Sequence, residues 1–387
     1  MIAIPGPSVM PDRVLAAMQR PMPNIYEGPL VDVSNSLFAD LPTIARTKGT
    51  PFMVIGNGHA AWQMAISNTL RTDKKALVLE SGRFAFFWGE MASMSGFDVE
   101  NLAGSEHGPV DPAAVHKRLA QDTDHKIQAV LVVLTDTATG VRNDIKAIRQ
   151  AIDAANHPAL FMVDAIASLG CEPYEMDEWG VDVTVAASQK GLMTPPGIGL
   201  VWANDKALAA HAHADARVGY VDWDGRVDVE EHYQYYGGTP PIPLLYALRE
   251  ALDMITEEGG LEAVWARHEA LAGAVWAAVD AWSTPDGLEH NIPDPAHRSF
   301  ATTTVNAGTI DTDELRLRTE RDAGLTLGLG IGSDNPRFRI GHMGHLNPPM
   351  ILGTLATIEA TLLAMGAPIG GSGIAAATNH IAEALKS

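Results

Sequence analysis

Short apolar runs alternate with helical patterns through the first half of the chain. The apolar runs predict buried strands over residues 53–55, 76–79, 127–134, 159–163, 181–187 and 199–202. Helical patterns lie between several of them, over 60–70, 84–94 and 145–156, and Asp144 is placed to cap the last of these helices. Strands separated by helices favour a mainly parallel sheet that is covered by helices on both faces.

The pattern changes near residue 255. A long helical stretch over 261–282 precedes strand-like runs over 301–305 and 337–340, and a final helical block starts near Pro349. This order predicts a second, smaller α/β domain. We therefore expect an N-terminal arm (1–15), a large domain (16–254) and a small C-terminal domain (255–387).

Composition narrows the classes of partner. The 387 residues are 46% hydrophobic and 19% charged, which is typical of a globular protein. A net charge of −20 disfavours nucleic acid and anionic membranes as partners. No apolar run approaches the roughly 20 residues that span a bilayer, and the N-terminus does not resemble a signal peptide. With Cys171 as its single cysteine, we expect a cytoplasmic protein that acts on small molecules.

Two ionisable residues follow apolar strands, where parallel sheets bind their ligands. Asp164 ends the run at 160–163, and Lys190 closely follows the run at 181–187. Partial burial lowers the pKa of a lysine and makes its amine a nucleophile toward an aldehyde. A carboxylate can keep a pyridine nitrogen protonated, which makes the ring an electron sink. Taken singly, Asp164 could equally cap a helix and Lys190 could be a solvated loop residue.

The two residues belong to one continuous block. Its segments VDAIASLG at 163–170, MDEWGVD at 176–182, SQKG at 188–191 and PPG at 195–197 closely resemble the class V aminotransferases of PLP fold type I, in the branch of serine–glyoxylate and alanine–glyoxylate aminotransferases. Weaker similarity extends over nearly the whole chain. The resemblance implies a large domain with a mainly parallel seven-stranded sheet sandwiched by helices, and a smaller C-terminal α/β domain. It also implies pyridoxal 5'-phosphate as cofactor, held by Lys190 as a Schiff base and by Asp164 at the ring nitrogen.

The same resemblance assigns the other cofactor contacts. A phosphate loop with a following helix N-terminus, an aromatic ring on one face of the cofactor, an aliphatic side chain on the other, a hydroxyl at the ring substituents and a loop of the neighbouring subunit are expected. The corresponding residues are Asn57, Gly58, His59 and Gln189 for the phosphate, Phe84 and Ile166 for the ring faces, Thr137 for the substituents, and Tyr236 and Thr239 for the neighbour's phosphate. The last pair implies a homodimer. Without the resemblance, residues 56–59 would be an ordinary glycine turn, Phe84 a core aromatic residue and residues 236–239 a loop at a domain junction.

Arg339 matches the family's substrate-carboxylate arginine, because a guanidinium binds a carboxylate through two parallel hydrogen bonds. Arg337 alternates with it along the predicted strand and is a candidate second contact, and Gly6 and Tyr26 are further candidates. A surface salt bridge is the plain alternative for either arginine. The histidine pairs at 211/213 and 342/345 lack a third ligand, so no metal is assigned.

The resemblance implies transfer of an amino group from serine, alanine or aspartate to glyoxylate or pyruvate. The segment at 23–29, with Tyr26 and Glu27, departs from the family pattern and leaves the donor open. One alternative is a pyridoxamine–pyruvate aminotransferase, which uses unphosphorylated pyridoxamine and needs no phosphate loop. Another is a catalytically silent PLP-binding regulator, which would need a DNA-binding appendage or a lost lysine. A cysteine desulfurase is rejected, because no cysteine follows residue 171.

Overall fold

The computed structural model describes residues 1–332 and 335–386. In this part of the chain the α-helices are α1 (Asp12–Ala17), α2 (Pro29–Ile44), α3 (Gly58–Thr69), α4 (Arg83–Met94), α5 (Pro112–Ala120), α6 (Ile145–Ala154), α7 (Asp205–His211), α8 (Ile242–Glu258), α9 (Leu261–Trp282), α10 (Thr312–Ala323), α11 (Pro348–Ala364) and α12 (Gly373–Ala384). The strands are β1 (Ile2–Ala3), β2 (Thr50–Gly56), β3 (Lys75–Leu79), β4 (Asp98–Leu102), β5 (Ile127–Val133), β6 (Thr135–Asp136), β7 (Val141–Arg142), β8 (Leu160–Asp164), β9 (Val183–Ala187), β10 (Gly197–Ala203), β11 (Glu289–His290), β12 (Thr302–Asn306), β13 (Thr326–Leu329) and β14 (Arg337–Gly341).

Seven strands form the large sheet, in the order β2-β10-β9-β8-β5-β3-β4. The pairs β9–β8, β8–β5, β5–β3 and β3–β4 are parallel, whereas β10 is antiparallel to both of its neighbours. The predicted mainly parallel seven-stranded sheet is confirmed. Because the parallel strands point the same way, the loops that follow β5, β8 and β9 meet at one edge of the sheet.

The large sheet is buried on both faces because its strands alternate between two cores. In β5, Val130 and Val132 pack in a core that includes residues of α2, α6 and α8. Ala129 and Leu131 point the other way, into a core that includes residues of α3 and α4. Continuous apolar runs are therefore what these strands require, and that is why the sequence pattern located them.

One helix end differs from the prediction, and one exposed strand was not predicted. Asp144 caps α6 as predicted, its carboxylate accepting from the backbone N–H of Ala147, but the helix ends at Ala154. The strand β4 was not predicted, since it is an edge strand with the polar sequence DVENL. Among residues 1–332 and 335–386, no helix is long and apolar enough to cross a membrane.

A second sheet has the order β1-β13-β14-β12-β11 and is antiparallel except for the β1–β13 pair. Its core includes residues of α9, α11 and α12. The N-terminal residues Ile2–Ala3 supply its edge strand, so the predicted arm contributes to the C-terminal sheet. The predicted boundary at 254/255 falls within α8, and the division into domains stays a prediction.

Candidate active site

A cavity of about 140 Å³ opens at the edge where β2, β5, β8 and β9 end. Such edges bind ligands in open parallel sheets. The cavity is lined by Asn57, Gly58, His59, Trp62, Phe84, Val133, Thr135, Thr137, Asp164, Ile166, Ala167, Gln189 and Lys190. Nine of these thirteen residues are ones that the sequence singled out.

Asp164 is the last residue of β8 and is 3% exposed. One carboxylate oxygen, Oδ2, accepts from the indole Nε1 of Trp62 at 2.8 Å, and Oδ1 accepts from the backbone N–H of Ile166 at 2.6 Å. Burial raises the pKa of Asp164 to about 7, against these two hydrogen bonds, which lower it. The carboxyl group therefore sits near the balance between its charged and neutral forms, where a cationic partner in the cavity would decide its state.

Lys190 lies three residues beyond β9, and its Nζ donates to the carbonyl of Pro5 at 2.5 Å. Burial lowers the pKa of this amine to about 8; the charge of Arg339 lowers it as well, and that of Asp164 raises it. Gly6 stands beside the side chain: a β-carbon there would lie 2.4 Å from Nζ, and its φ of +93° favours glycine. The N-terminal segment thus covers Lys190, and Gly6 leaves room for the amine.

The predicted phosphate loop forms the start of α3. Asn57 caps this helix, its Oδ1 accepting from the backbone N–H of His59 at 3.0 Å. A β-carbon at Gly58 would lie 2.5 Å from Ile166 Cδ1, so glycine lets the helix N-terminus approach the loop after β8. Across the cavity, Gln189 is buried, and its Oε1 has no hydrogen-bond partner in the described part of the chain. A polar ligand would satisfy this amide.

Asp136, which the sequence did not single out, holds two candidate cofactor residues in place. Its Oδ2 accepts from the backbone N–H groups of Phe84 and Ala85 at 2.8 and 3.1 Å, at the start of α4. Its Oδ1 accepts from the N–H of Ala138, next to Thr137. Burial raises the pKa of Asp136. The Asp136 carboxyl group therefore links Phe84, whose ring lines the cavity, to the loop that carries the Thr137 hydroxyl.

The loop at 137–140 is also hydrogen-bonded to the C-terminal part of the chain. Four consecutive carbonyls accept from four donors there: Thr137 from Arg339 Nη1 at 3.0 Å, Ala138 from Thr304 Oγ1 at 3.3 Å, Thr139 from Asn291 Nδ2 at 2.9 Å and Gly140 from the N–H of Ser299 at 3.1 Å. This row of contacts fixes the second sheet against the cavity.

The two arginines of β14 have different partners. Arg339 donates to the carbonyls of Leu329 and Thr137, at 2.6 and 3.0 Å. Burial lowers its pKa to about 10, so it stays cationic at neutral pH. Arg337 forms an ion pair with Glu106, with 3.0 Å between Nη2 and Oε2, and its side chain is only 2% exposed.

Six predicted residues do not line the cavity: Gly6, Arg337 and Arg339, described above, and Tyr26, Tyr236 and Thr239. Tyr26 is 66% exposed and contacts the ring of Tyr233 edge-on. Tyr236 is fully buried in its own chain, where its hydroxyl donates to Ser34 Oγ at 2.8 Å. Thr239 is exposed. A contact of Tyr236 with a neighbouring subunit would require this buried side chain to move, whereas Thr239 is accessible; both roles stay predictions.

A second buried carboxylate, Glu172, lies close to the cavity without lining it. Its oxygens accept from Thr135 Oγ1 at 3.0 and 3.1 Å, Ser299 Oγ at 2.6 Å and the N–H of Phe300 at 3.0 Å. Burial raises its pKa. Thr135 lines the cavity, and Ser299 and Phe300 precede β12, so Glu172 joins the two sheets.

Within residues 1–332 and 335–386, one cluster has the composition of a metal site. Ligand atoms of His211, Asp222 and Asp224 lie within 4.8 Å of one another. However, Arg217 forms ion pairs with both aspartates and supplies the positive charge there. We assign no metal to this surface.

Comparison with known proteins identifies the family. Residues 47–332 match the model of the family described as aminotransferase class-V. The chain is a class-V aminotransferase. It is 38% identical to the serine–glyoxylate aminotransferase of Methylorubrum extorquens, covering 98% of this chain and 95% of the relative, and 35% identical, with the same coverage, to the L-aspartate–glyoxylate aminotransferase of Paracoccus denitrificans. The structure of pyridoxamine–pyruvate aminotransferase from Mesorhizobium loti matches with a TM-score of 0.89 and 26% identity, covering 99% of this chain and 97% of that one.

These relatives confirm the expected family and PLP fold type I for this class-V aminotransferase. Sequence reasoning missed Trp62, Asp136 and Ser8. Trp62 is one of eight tryptophans, and only the packing of α3 on the large sheet brings its indole to Asp164. Ser8 donates to the carbonyl of Lys190 and anchors the N-terminal segment. A polar residue two positions after Gly6 was the available signal for Ser8.

Proposed function

We propose that this enzyme is a pyridoxal-phosphate-dependent aminotransferase that transfers the amino group of serine, alanine or aspartate to glyoxylate or pyruvate. One observation carries the proposal: a lysine of lowered pKa and a buried aspartate line one cavity, between Phe84 and a capped helix N-terminus. The names of the relatives, serine–glyoxylate and L-aspartate–glyoxylate aminotransferase, support the donor and acceptor classes.

The lining residues fit the cofactor. The backbone N–H groups at the start of α3 and the side-chain NH2 group of Gln189 would hold the phosphate. Phe84 and Ile166 would flank the ring, Thr137 would bind its substituents, and Asp164 would accept from its protonated nitrogen. When bound, pyridoxal phosphate supplies an electrophilic carbon and an electron sink.

The polar residues at the site would then have distinct roles. Lys190 would hold the cofactor in the resting enzyme, and its free Nζ would hold and return the substrate's α-proton. Its lowered pKa keeps a useful fraction of free amine near neutral pH. Arg339 would orient the substrate carboxylate, exchanging its two backbone carbonyls for two carboxylate oxygens. The N-terminal segment, through Pro5 and Gly6, limits water access to the amine.

A half-reaction screen tests the proposal. Purified protein loaded with pyridoxal phosphate is mixed with serine, alanine or aspartate, and the visible absorbance of the bound cofactor is followed. We expect at least one donor to bleach the absorbance and glyoxylate or pyruvate to restore it. Lys190→Ala should neither bleach nor turn over, and full transamination by that variant would contradict the assignment.

A second candidate function rests on the similarity to the pyridoxamine–pyruvate aminotransferase structure. The same screen separates it, since that activity consumes unphosphorylated pyridoxamine with pyruvate and needs no bound phosphate cofactor. If no amino acid bleaches the cofactor but pyridoxamine is consumed, the second candidate is correct. The N-terminus of α3 and the side-chain NH2 group of Gln189 favour the first, because both can donate to a phosphate on the cavity.

We also propose that the enzyme is a homodimer whose loop at 236–239 reaches the neighbour's phosphate, and that it works in the cytoplasm. The exposure of Thr239 supports such a contact more directly than the buried Tyr236 does. Sedimentation should give a particle of two 41.2-kDa chains. A monomer that still binds the cofactor would contradict the shared site.

A further inference from the structure

The two arginines of β14 differ in their partners. Arg337 forms an ion pair with Glu106, whereas Arg339 forms no ion pair in the described residues. The guanidinium of Arg337 lies 3.0 Å from the Glu106 carboxylate. Arg339 has backbone carbonyls as acceptors; the charge of Asp136 acts on it from farther away, but no carboxylate lies within ion-pair distance of it in residues 1–332 and 335–386. A substrate therefore meets one cation that is free to take a carboxylate.

Both arginines share the face of β14 that is turned toward the site. Phe338 and Ile340 point the opposite way, into the core of the second sheet. On the shared face, a β-carbon at Gly341 would lie 2.1 Å from the carbonyl of Ile4, next to the Pro5 carbonyl that accepts from Lys190. Alternate residues of a strand lie about 7 Å apart, so the order outward from the N-terminal segment over Lys190 is Gly341, Arg339, Arg337.

This order matters for a donor with two carboxylates. Its first carboxylate would bind Arg339, and its second would need another hydrogen-bond donor farther from Lys190. Arg337 is the cation at the next position along that face, but Glu106 already occupies it and would repel an incoming carboxylate. A donor with a single carboxylate makes no such demand.

We propose that the Glu106–Arg337 ion pair makes this enzyme select amino donors with one carboxylate, such as alanine and serine, over dicarboxylic donors such as aspartate. This inference rests on the proposed function and narrows it. Glu106 acts through Arg337, so it is a specificity-determining residue that need not touch the substrate.

The test compares kcat/KM for aspartate and alanine, with glyoxylate as acceptor, in four proteins. These are the wild type, Glu106→Gln, the double variant Glu106→Gln with Arg337→Met, and the control Glu289→Gln, which removes the same charge from an exposed side chain. We expect the wild type to prefer alanine. Glu106→Gln should raise the aspartate-to-alanine ratio about tenfold, as one new charge-assisted hydrogen bond would, and the double variant should lose that gain. The control should keep the wild-type ratio.

A binding measurement complements the kinetics. Calorimetric titration of the protein loaded with pyridoxal phosphate, using succinate and butyrate, should show about tenfold tighter succinate binding in Glu106→Gln than in the wild type. Equal use of aspartate and alanine by the wild type, or an unchanged ratio in Glu106→Gln, would overturn the inference. Both results leave the aminotransferase proposal intact, whereas a wild type that is inactive with every amino acid contradicts that proposal itself.

Discussion

Two buried carboxyl groups, Asp164 at the end of β8 and Glu172 eight residues later, have different surroundings. Burial raises the pKa of both, to about 7 for Asp164. Asp164 accepts from two donors and lines the cavity, whereas Glu172 accepts from three groups in the segments that follow β5 and precede β12 and is fully enclosed. A carboxylate that takes part in a reaction must face a cavity. A carboxylate whose oxygens all accept hydrogen bonds from the protein instead stabilises the packing of the segments around it.

The largest effect should come from Asp164→Asn, which keeps the shape but removes the charge that would hold the cofactor's ring nitrogen protonated. We expect kcat/KM for the preferred donor to fall roughly a hundredfold to a thousandfold, with little change in the unfolding free energy. Glu172→Gln is the matched variant and should keep most of the activity. Equal activity losses in the two would erase the distinction between the carboxylates.

Glu172→Ala should affect stability instead. Removing the carboxylate leaves the hydroxyls of Thr135 and Ser299 and the N–H of Phe300 without their acceptor, which should cost about 3 kcal/mol of unfolding free energy. Chemical denaturation measures this loss. An unchanged midpoint would mean that these contacts do not join the two sheets.

Sequence patterns located the parts of the site that follow buried strands. Asp164 and Lys190 come after continuous apolar runs, and the parallel sheet necessarily brings their loops to one edge. Contacts between distant segments were not predictable: Glu106 and Arg337 are 231 residues apart, and Tyr236 lies in its own core because Ser34 of α2 accepts its hydroxyl. The polar edge strand β4 was missed for the related reason that a half-exposed strand needs no apolar run.

A smaller effect should follow from Trp62→Phe, which deletes the indole donor to Asp164 Oδ2. We expect about a tenfold weaker cofactor affinity, in line with one hydrogen bond to a charged group. Trp88→Phe is the matched control, because Trp88 packs against Trp62 at 6.0 Å while its Nε1 has no hydrogen-bond partner in the described residues. Equal effects in the two variants would assign the loss to packing alone.

The smallest effect concerns the titration of Lys190. In the cofactor-free protein, its pKa of about 8 means that the free amine accumulates as pH rises through 8. The rate of Lys190 modification by an amine-directed reagent, followed by peptide mass spectrometry, should rise with that midpoint. Asp164→Asn should move the midpoint down, because it removes a negative charge that favours the ammonium form. A midpoint near 10, as for an exposed lysine, would show that the amine is not desolvated.

The central claim is that Lys190 and Asp164 define a site in which the cofactor bonds to Lys190. Borohydride reduction of the purified protein in the presence of pyridoxal phosphate fixes the cofactor to its lysine, and peptide mass spectrometry then identifies the modified residue. We expect one major adduct, on Lys190, that is absent from Lys190→Ala. An adduct mainly on another lysine, or none at all in the wild type, would contradict it.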